Sequence, residues 1–141
     1  MPSGVRSISS PGRLFASPVS VLTFRNTACD FMDERARDCL NDIVANVEEL
    51  LRFVGGMTFE QYQTDRKTQA AVERKFEIIG EALNRLARVD AEILSEIRNY
   101  RSIISFRNIL AHGYDSVEDR VVWGIIEHDL SQLRSDAAAF L

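Results

Sequence analysis

The stretch that decides the fold is CLNDIVANVEELLRFVGG, residues 39–56. Its apolar residues return every three or four positions and therefore share one face of an α-helix; they are Leu40, Ile43, Val44, Val47, Leu51 and Val54. We predict that this helix runs from Asp33 to Phe53 and ends at Gly55 and Gly56, because glycine readily takes the left-handed conformation that closes helices. A helix with one apolar face must bury that face against other elements, so we expect a packed helical domain.

The same helical period continues along the chain, without the alternation typical of strands. All three prolines lie in the first 18 residues, so no proline breaks the later helices. Thr58 and Gln61 have the spacing of a capping box, which would open the second helix. Further helices are predicted from Phe59 or Asp65 to Ala87, over 91–97, over 102–112, and from near Val117 with Ser116 as N-cap. The predicted fold is all-α, an antiparallel bundle of four main helices.

The chain has 141 residues and a net charge of −4, and its length is typical of one domain. Residues 1–31 carry three arginines and one aspartate, whereas residues 32–141 carry 14 basic and 20 acidic side chains. An acidic body argues against non-specific coating of nucleic acid, but it leaves room for a local basic cleft that binds a short piece of RNA. Basic candidates for the rim of such a cleft are Arg66, Lys67, Arg74, Lys75, Arg98 and Arg101.

The first 31 residues are rich in serine, proline and glycine and lack a helical period. We therefore predict a disordered N-terminal extension, 1–31, followed by one helical domain, 32–141. The alternatives are a basic, serine-rich targeting segment or a start site assigned too far upstream, with Met32 as the true start. Cys29 and Cys39 form no disulfide or metal pattern, which favours a reducing cytoplasm. No apolar run approaches the roughly 18 residues of a membrane span.

Three glutamates, Glu73, Glu77 and Glu81, recur at a spacing of four on the predicted second helix. They could act as general bases or metal ligands, although glutamates at this spacing more often form a solvated face. Glu81 differs from the other two because Gly80 beside it would let another helix come close. No cluster of histidine, cysteine and carboxylate supports a metal site, so neither a metal nor a cofactor is expected. His128 is interpreted as a surface or packing residue.

A second stretch, FRNILAHGYD at residues 106–115, contains one of the two histidines of the chain. On the predicted helix, Asn108 and His112 lie four positions apart and share a face. Arg107 lies five positions before His112 and points roughly 140° away from it on an ideal helix. A straight helix therefore cannot aim both side chains at one phosphate. The last turn must unwind, the arginine must curl round, or a second chain must supply the complement.

The end of this helix carries Gly113 and Tyr114. Gly113 is predicted at the left-handed position after the helix, and Tyr114 is predicted to project from the turn with an exposed hydroxyl. An imidazole beside a guanidinium suits RNA cleavage, because histidine can accept the proton of an attacking 2′-hydroxyl or protonate the leaving 5′-oxygen. Arginine can hold the phosphate and stabilise its growing charge, without a metal. One histidine per chain cannot easily be both acid and base, so a symmetric dimer fits the same chemistry.

The run RNILAHGY matches the R-x-x-x-x-H-x-Y signature of HEPN-domain ribonucleases. The chain more closely resembles the HepT toxins of bacterial MntA–HepT toxin–antitoxin pairs. The likeness covers residues 33–141 and is carried by 55–86 and 104–123. The resemblance implies a HEPN bundle of four or five helices that forms a homodimer, with the two signature motifs meeting in a cleft at the interface. It also implies metal-independent endonucleolytic cleavage of RNA.

The resemblance assigns roles to individual residues. Arg107 and His112 match the catalytic pair of the family, and Asn108 matches its supporting polar position. Tyr114 matches the tyrosine to which an MntA-type nucleotidyltransferase antitoxin transfers AMP from ATP, which silences the toxin. The function implied is therefore the toxin of a type VII toxin–antitoxin system in the cytoplasm. RNA, the antitoxin and a second copy are its expected partners, and no membrane is expected.

Two other interpretations belong to different classes of protein. In the first, the helical domain is a non-catalytic module that docks a nucleotidyltransferase and helps to bind its nucleotide or substrate. In the second, it is a plain structural four-helix dimer, in which Arg107 and Tyr114 would tolerate exchange. Replacement of His112 separates a toxin from a docking module, because only the toxin would lose its activity.

Overall fold

The computed structural model describes residues 32–113 and 117–141, which form seven α-helices and, within those ranges, no strand. The helices are α1 (Glu34–Val54), α2 (Phe59–Thr64), α3 (Arg66–Val89), α4 (Ala91–Ser95), α5 (Tyr100–Ala111), α6 (Asp119–His128) and α7 (Leu130–Ala138). The prediction of an all-α bundle is confirmed. The predicted extension 1–31 and the predicted N-cap Ser116 lie outside the described residues. None of the described helices is long and apolar enough to cross a membrane.

The long helices α1 and α3 pack against each other, with α7 against α1 and α5 against α3. Of the six residues predicted to form the apolar stripe of α1, four are buried, namely Leu40, Ile43, Val47 and Val54. Val44 and Leu51 are only half-buried, because they lie at one edge of the buried face. Cys39 and Leu50 extend the buried face on its other side. The period of the stripe was therefore predicted correctly and its centre was misplaced by a fraction of a turn.

Two separate helices replace the single second helix of the prediction. The capping box is confirmed: Gln61 N–H donates to Thr58 Oγ1 over 3.2 Å, and Thr58 N–H donates to Gln61 Oε1 over 2.9 Å. Asp65 then ends α2 and caps α3. Its carboxylate accepts hydrogen bonds from Thr68 N–H over 3.0 Å and from the Thr68 hydroxyl over 2.7 Å. Each of the two predicted starts therefore opens a helix of its own.

The prediction of one continuous last helix is wrong. The chain instead forms α6, with Glu118 as its N-cap residue, and then α7, with a break at Asp129. Asp129 has φ −106° and ψ −34°, so its ψ is helical but its φ departs from the usual helical value of about −63°. The Asp129 carboxylate accepts a hydrogen bond from the Asn99 side chain over 3.1 Å. A residue 30 positions earlier in the chain thus contacts the residue at the break.

Helix α5 packs on α3 at Gly80, which is buried. A Cβ atom added to Gly80 would lie 2.4 Å from Cβ and 2.6 Å from Cγ of Arg107, so only glycine fits at this contact. The rings of Phe76 and Phe106 meet edge to face in the same interface, with their centroids 5.0 Å apart. The prediction that Gly80 admits another helix is therefore confirmed.

Ion pairs connect α1 to its neighbours outside the apolar core. They are Lys75 with Glu49, Arg85 with Asp42 at 2.7 Å, and Arg134 with Glu48 at 2.8 Å. Lys75 also donates to Asn46 Oδ1 over 2.9 Å. Such partly exposed pairs contribute at most about 1 kcal/mol each, so they fix the orientation of the helices more than they stabilise the fold.

Asp136 of α7 holds the segment between α4 and α5. Its carboxylate accepts the backbone N–H of Arg98 over 2.9 Å and pairs with the Arg98 guanidinium at 2.9 Å. The Gln132 amide donates a further hydrogen bond over 2.8 Å. The hydrogen bonds from the Arg98 side chain lower the pKa of Asp136 below its usual range. The ionised carboxylate therefore stabilises the folded state.

We expect Gly80→Ala to destabilise the fold by about 1–3 kcal/mol, because the added carbon forces α3 and α5 apart. Gly124→Ala in α6 is the matched control, since a Cβ there meets no described neighbour within 4 Å. Alanine favours a helix over glycine by up to about 1 kcal/mol, so this control should be neutral or stabilising. Urea unfolding measures both free energies, and equal values for the two variants would contradict the close contact.

We expect Asp136→Asn to lower the free energy of unfolding by about 1–2 kcal/mol near neutral pH. This figure is kept small because solvent around the exposed Arg98 side chain screens the ion pair. The folded-state pKa of Asp136 is depressed. Its stabilising effect is therefore complete above the unfolded-state pKa of about 3.9 and is lost as the pH falls through the lower folded-state pKa. Urea unfolding at several pH values should show the wild type and the variant converging in acid. Asp38→Asn, at an exposed position of α1, controls for the change in net charge, and an equal loss in that variant would refute the prediction.

Candidate active site

Arg107 is held against α3 along its whole side chain. Its Cβ and Cγ atoms pack over Gly80, and only 31% of the side chain is exposed. By comparison, 71% of Arg74 and 68% of Arg88 are exposed. The half-burial of Arg107 follows from its position on the face of α5 that contacts α3.

The guanidinium group of Arg107 contacts a carboxylate and an amide. Arg107 Nη2 lies 3.3 Å from Glu81 Oε2, and Arg107 Nη1 donates to Asn108 Oδ1 over 3.3 Å. The other carboxylate oxygen of Glu81 lies 3.6 Å from Arg88 Nη2. An arginine has five N–H donors, so this guanidinium retains donors for a phosphate.

A surface groove of about 430 Å³ lies between α3 and α5. It is lined by Arg74, Glu77, Ile78, Glu81, Arg85, Arg107 and Ala111. Each of its three arginines has a carboxylate partner: Arg74 pairs with Glu77 at 3.1 Å, Arg85 with Asp42 at 2.7 Å, and Arg107 with Glu81. The groove can therefore contact a phosphate through several guanidinium groups while its own charge stays nearly balanced.

His112 is exposed and lies at the end of α5. It is the C-cap residue, with φ −91° and ψ 2°, and its backbone N–H donates to Asn108 O over 3.2 Å. Gly113 follows with φ 62°, and its N–H donates to Leu110 O over 3.4 Å. The predicted left-handed glycine is thus confirmed. Tyr114 lies outside the described residues, so its predicted exposure stays a prediction.

The predicted divergence of Arg107 and His112 agrees with the shape of α5. The helix stays regular through Ala111, so helical geometry places the two residues roughly 140° apart around its axis. Only His112 and Gly113 depart from helical geometry. Arg107 lies at the groove, and its guanidinium donates a hydrogen bond to Asn108. His112 lies just beyond the end of the helix. Unwinding of the last turn is therefore limited to the residues at which a helix normally ends.

The basic residues predicted for the rim of an RNA cleft divide into groups. Arg74 lines the groove. Lys75 and Arg98 form ion pairs with Glu49 and Asp136, which gives them structural roles. Arg101 donates to the hydroxyl of its neighbour Tyr100 over 3.1 Å. Arg66 and Lys67 are exposed at the start of α3, and their part in RNA binding stays a prediction.

The interpretation of Glu73 and Glu77 as a solvated face is only partly correct, because both are half-buried. Glu73 is half-buried, and burial raises its pKa, with further contributions from the charges of Asp119 and Glu77. Glu77 and Glu81 face the groove. Within residues 32–113 and 117–141, no three histidine, cysteine or carboxylate side chains are grouped so that they could hold a metal ion. His128 is exposed at the end of α6, as predicted.

The sequence model of the ribonuclease HepT-like family matches residues 43–139, well over half of the chain. The chain belongs to the HepT-like ribonuclease family. The predicted resemblance to HepT-type HEPN ribonucleases is therefore confirmed, and the matched region includes the groove and the whole of α5. The predicted class of enzyme, a ribonuclease, agrees with the description of this family.

Individual relatives agree with the family. A protein of Thermococcus cleftensis named "Probable ribonuclease HepT" is 34% identical over 103 residues, which cover 73% of this chain and 93% of the relative. A candidate RNase of Methanocaldococcus jannaschii is 31% identical over 64% of this chain and 74% of its own length. A candidate RNase of Caldanaerobacter subterraneus is 30% identical over 74% of this chain and 93% of its own length. No solved structure matches the chain.

Sequence reasoning missed the pairing of Glu81 with Arg107. The one available signal was Gly80, which indicated a close helix next to Glu81 but not the identity of that helix. The two residues lie 26 positions apart in the chain and meet only because α5 packs on α3. The groove between the helices was missed for the same reason.

Proposed function

We propose that this protein is the toxin of a type VII toxin–antitoxin system and acts as a metal-independent endoribonuclease. The observation that carries the proposal is the arrangement on α5 within the family match. Arg107 is held at a groove by its contacts with α3, and His112 is exposed at the end of the same helix. The pair supplies a positive charge for a phosphate and an imidazole that can accept or donate a proton.

The proposed reaction is attack by the RNA 2′-hydroxyl on the adjacent phosphorus. A bond forms between the 2′-oxygen and phosphorus, and the bond between phosphorus and the 5′-oxygen breaks. One imidazole takes the 2′-hydroxyl proton and another protonates the leaving 5′-oxygen. The products are a 2′,3′-cyclic phosphate and a 5′-hydroxyl. Arg107 stabilises the charge on the phosphate oxygens, and Asn108 supports the guanidinium through its hydrogen bond.

We infer that the active form is a homodimer. Each chain brings one histidine to the proposed site, the exposed His112, whereas the reaction needs both an acid and a base. Two copies would supply two imidazoles at one cleft. The outer face of α5 supports this assembly, because Ile109, next to Asn108, is 43% exposed although its side chain is large and apolar.

We further propose that Tyr114 is the residue through which the toxin is silenced. Its phenolic oxygen would attack the α-phosphorus of ATP on an MntA-type nucleotidyltransferase, forming tyrosyl-AMP and releasing pyrophosphate. Support comes from the family and from the sequence, which places Tyr114 two positions after His112. An added adenylate so close to His112 would repel RNA phosphates and occupy space at the cleft.

The first test is an RNA cleavage assay in EDTA with purified protein whose mass is unmodified. We expect wild type to yield cyclic phosphate ends and His112→Ala to be slower by about 100-fold or more, because a proton-transfer group contributes that much to a rate. His128→Ala removes the other histidine of the chain, which is exposed on α6, and should keep wild-type activity. Absence of cleavage by wild type, with retained binding to the nucleotidyltransferase, would favour the docking module.

The second test follows the modification directly. Incubation with ATP and the MntA-type nucleotidyltransferase should add the mass of one or more AMP units and abolish RNA cleavage. Tyr114→Phe should gain no mass and should remain active in the presence of the antitoxin. Tyr100→Phe, which removes the hydroxyl that contacts Arg101, should still be modified. A mass gain in Tyr114→Phe equal to that of wild type would reject Tyr114 as the acceptor.

A further inference from the structure

We propose that Glu81 is a positioning residue, which orients the Arg107 guanidinium for the scissile phosphate. The inference rests on the proposed ribonuclease function and adds to it a residue outside the signature run. Its basis is the ion pair between Glu81 Oε2 and Arg107 Nη2, 3.3 Å apart at the wall of the groove.

One turn of α3 restrains Arg107 at two points. Gly80 fixes the course of the side chain, because the Cβ and Cγ atoms of Arg107 occupy the space where any larger residue would place its own Cβ. Glu81, the next residue, contacts the charged end. Because packing holds the first carbons of the Arg107 side chain, only the torsion angles near its guanidinium stay free. The ion pair with Glu81 restrains those angles.

The Glu81 carboxylate also contacts a second arginine. Its Oε1 atom lies 3.6 Å from Arg88 Nη2, so each oxygen faces a different guanidinium. Arg88 is mostly exposed and lies two turns further along α3. Arg88 lies outside the groove and interacts with Glu81, which in turn interacts with Arg107.

Because Glu81 is negatively charged, a positioning role and a purely electrostatic role predict different kinetic effects when the carboxylate is removed. A carboxylate at the groove repels the phosphates of the substrate, so it weakens ground-state binding. If Glu81 orients Arg107 for the transition state, its removal lowers kcat while KM stays the same or falls. If Glu81 were only surface charge, its removal would lower KM alone.

Glu81→Gln is the test variant, with RNA cleavage measured over a range of substrate concentrations. We expect kcat to fall by about 10- to 100-fold, because small misplacements of a positioned group have effects of this size. KM should not rise. Glu48→Gln is the matched control, since Glu48 also pairs with an arginine of another helix and is 41% exposed, compared with 45% for Glu81. An unchanged kcat in Glu81→Gln would overturn the proposal.

A double-mutant cycle shows whether Glu81 acts through Arg107. In an Arg107→Ala background, Glu81→Gln should cause no further loss of kcat, so the two effects should not be additive. Additive losses would mean that Glu81 acts by another route, and positioning of Arg107 would be rejected.

A readout independent of cleavage separates this inference from the proposed function. In protein labelled with ¹⁵N-arginine, the Nη signals of Arg107, assigned by their loss in Arg107→Ala, should be resolved at low temperature because rotation of the guanidinium is restrained. They should merge in Glu81→Gln and stay resolved in Glu48→Gln. Identical Arg107 spectra in wild type and Glu81→Gln would overturn the positioning role. Failure of wild type to cleave RNA would instead reject the ribonuclease proposal and leave the spectral comparison decisive for Glu81.

Discussion

The contact between Gly80 and Arg107 is the constraint on which the site depends. No side chain fits at position 80, because a Cβ there would lie 2.4 Å from Arg107 Cβ. The Cβ and Cγ atoms of Arg107 can therefore pack directly on the backbone of α3. It buries the stem of Arg107, places its charged end beside Glu81 and forms the wall of the groove. One glycine thus determines both the packing of a helix and the position of the cation proposed to hold RNA.

The frame behind this contact is an apolar core. Among the described residues, the buried set contains no polar or charged side chain other than the phenol of Tyr62. Charged residues lie outside the core and pair between helices, as Arg85 does with Asp42. A close-packed core resists deformation, so the relative position of α3 and α5 is fixed by the interior. The remaining donors of Arg107 can therefore bind a phosphate while its ion pair with Glu81 stays in place.

Much of the fold could be predicted from the sequence, because helical period and caps are local properties. The stripe of α1 and the capping box at Thr58 need only neighbouring residues. The break at Asp129 could not be predicted, since its partner Asn99 lies 30 residues earlier and meets it only in the folded chain. The site follows the same division. Arg107, Asn108 and His112 occupy one short run, whereas the pairing of Arg107 with Glu81 depends on how two helices pack.

The divergence of Arg107 and His112 bears on how the proposed enzyme selects its substrate. Each arginine of the groove already pairs with a carboxylate, and the helical body of the chain is acidic. Long-range attraction for RNA is therefore weak, which limits non-specific binding. A phosphate gains most where it reaches Arg107 and an imidazole together, and the regular α5 points the two groups of one chain apart. In the proposed homodimer, a second copy would complete the site, and cleavage would then be confined to RNA that fits the assembled cleft.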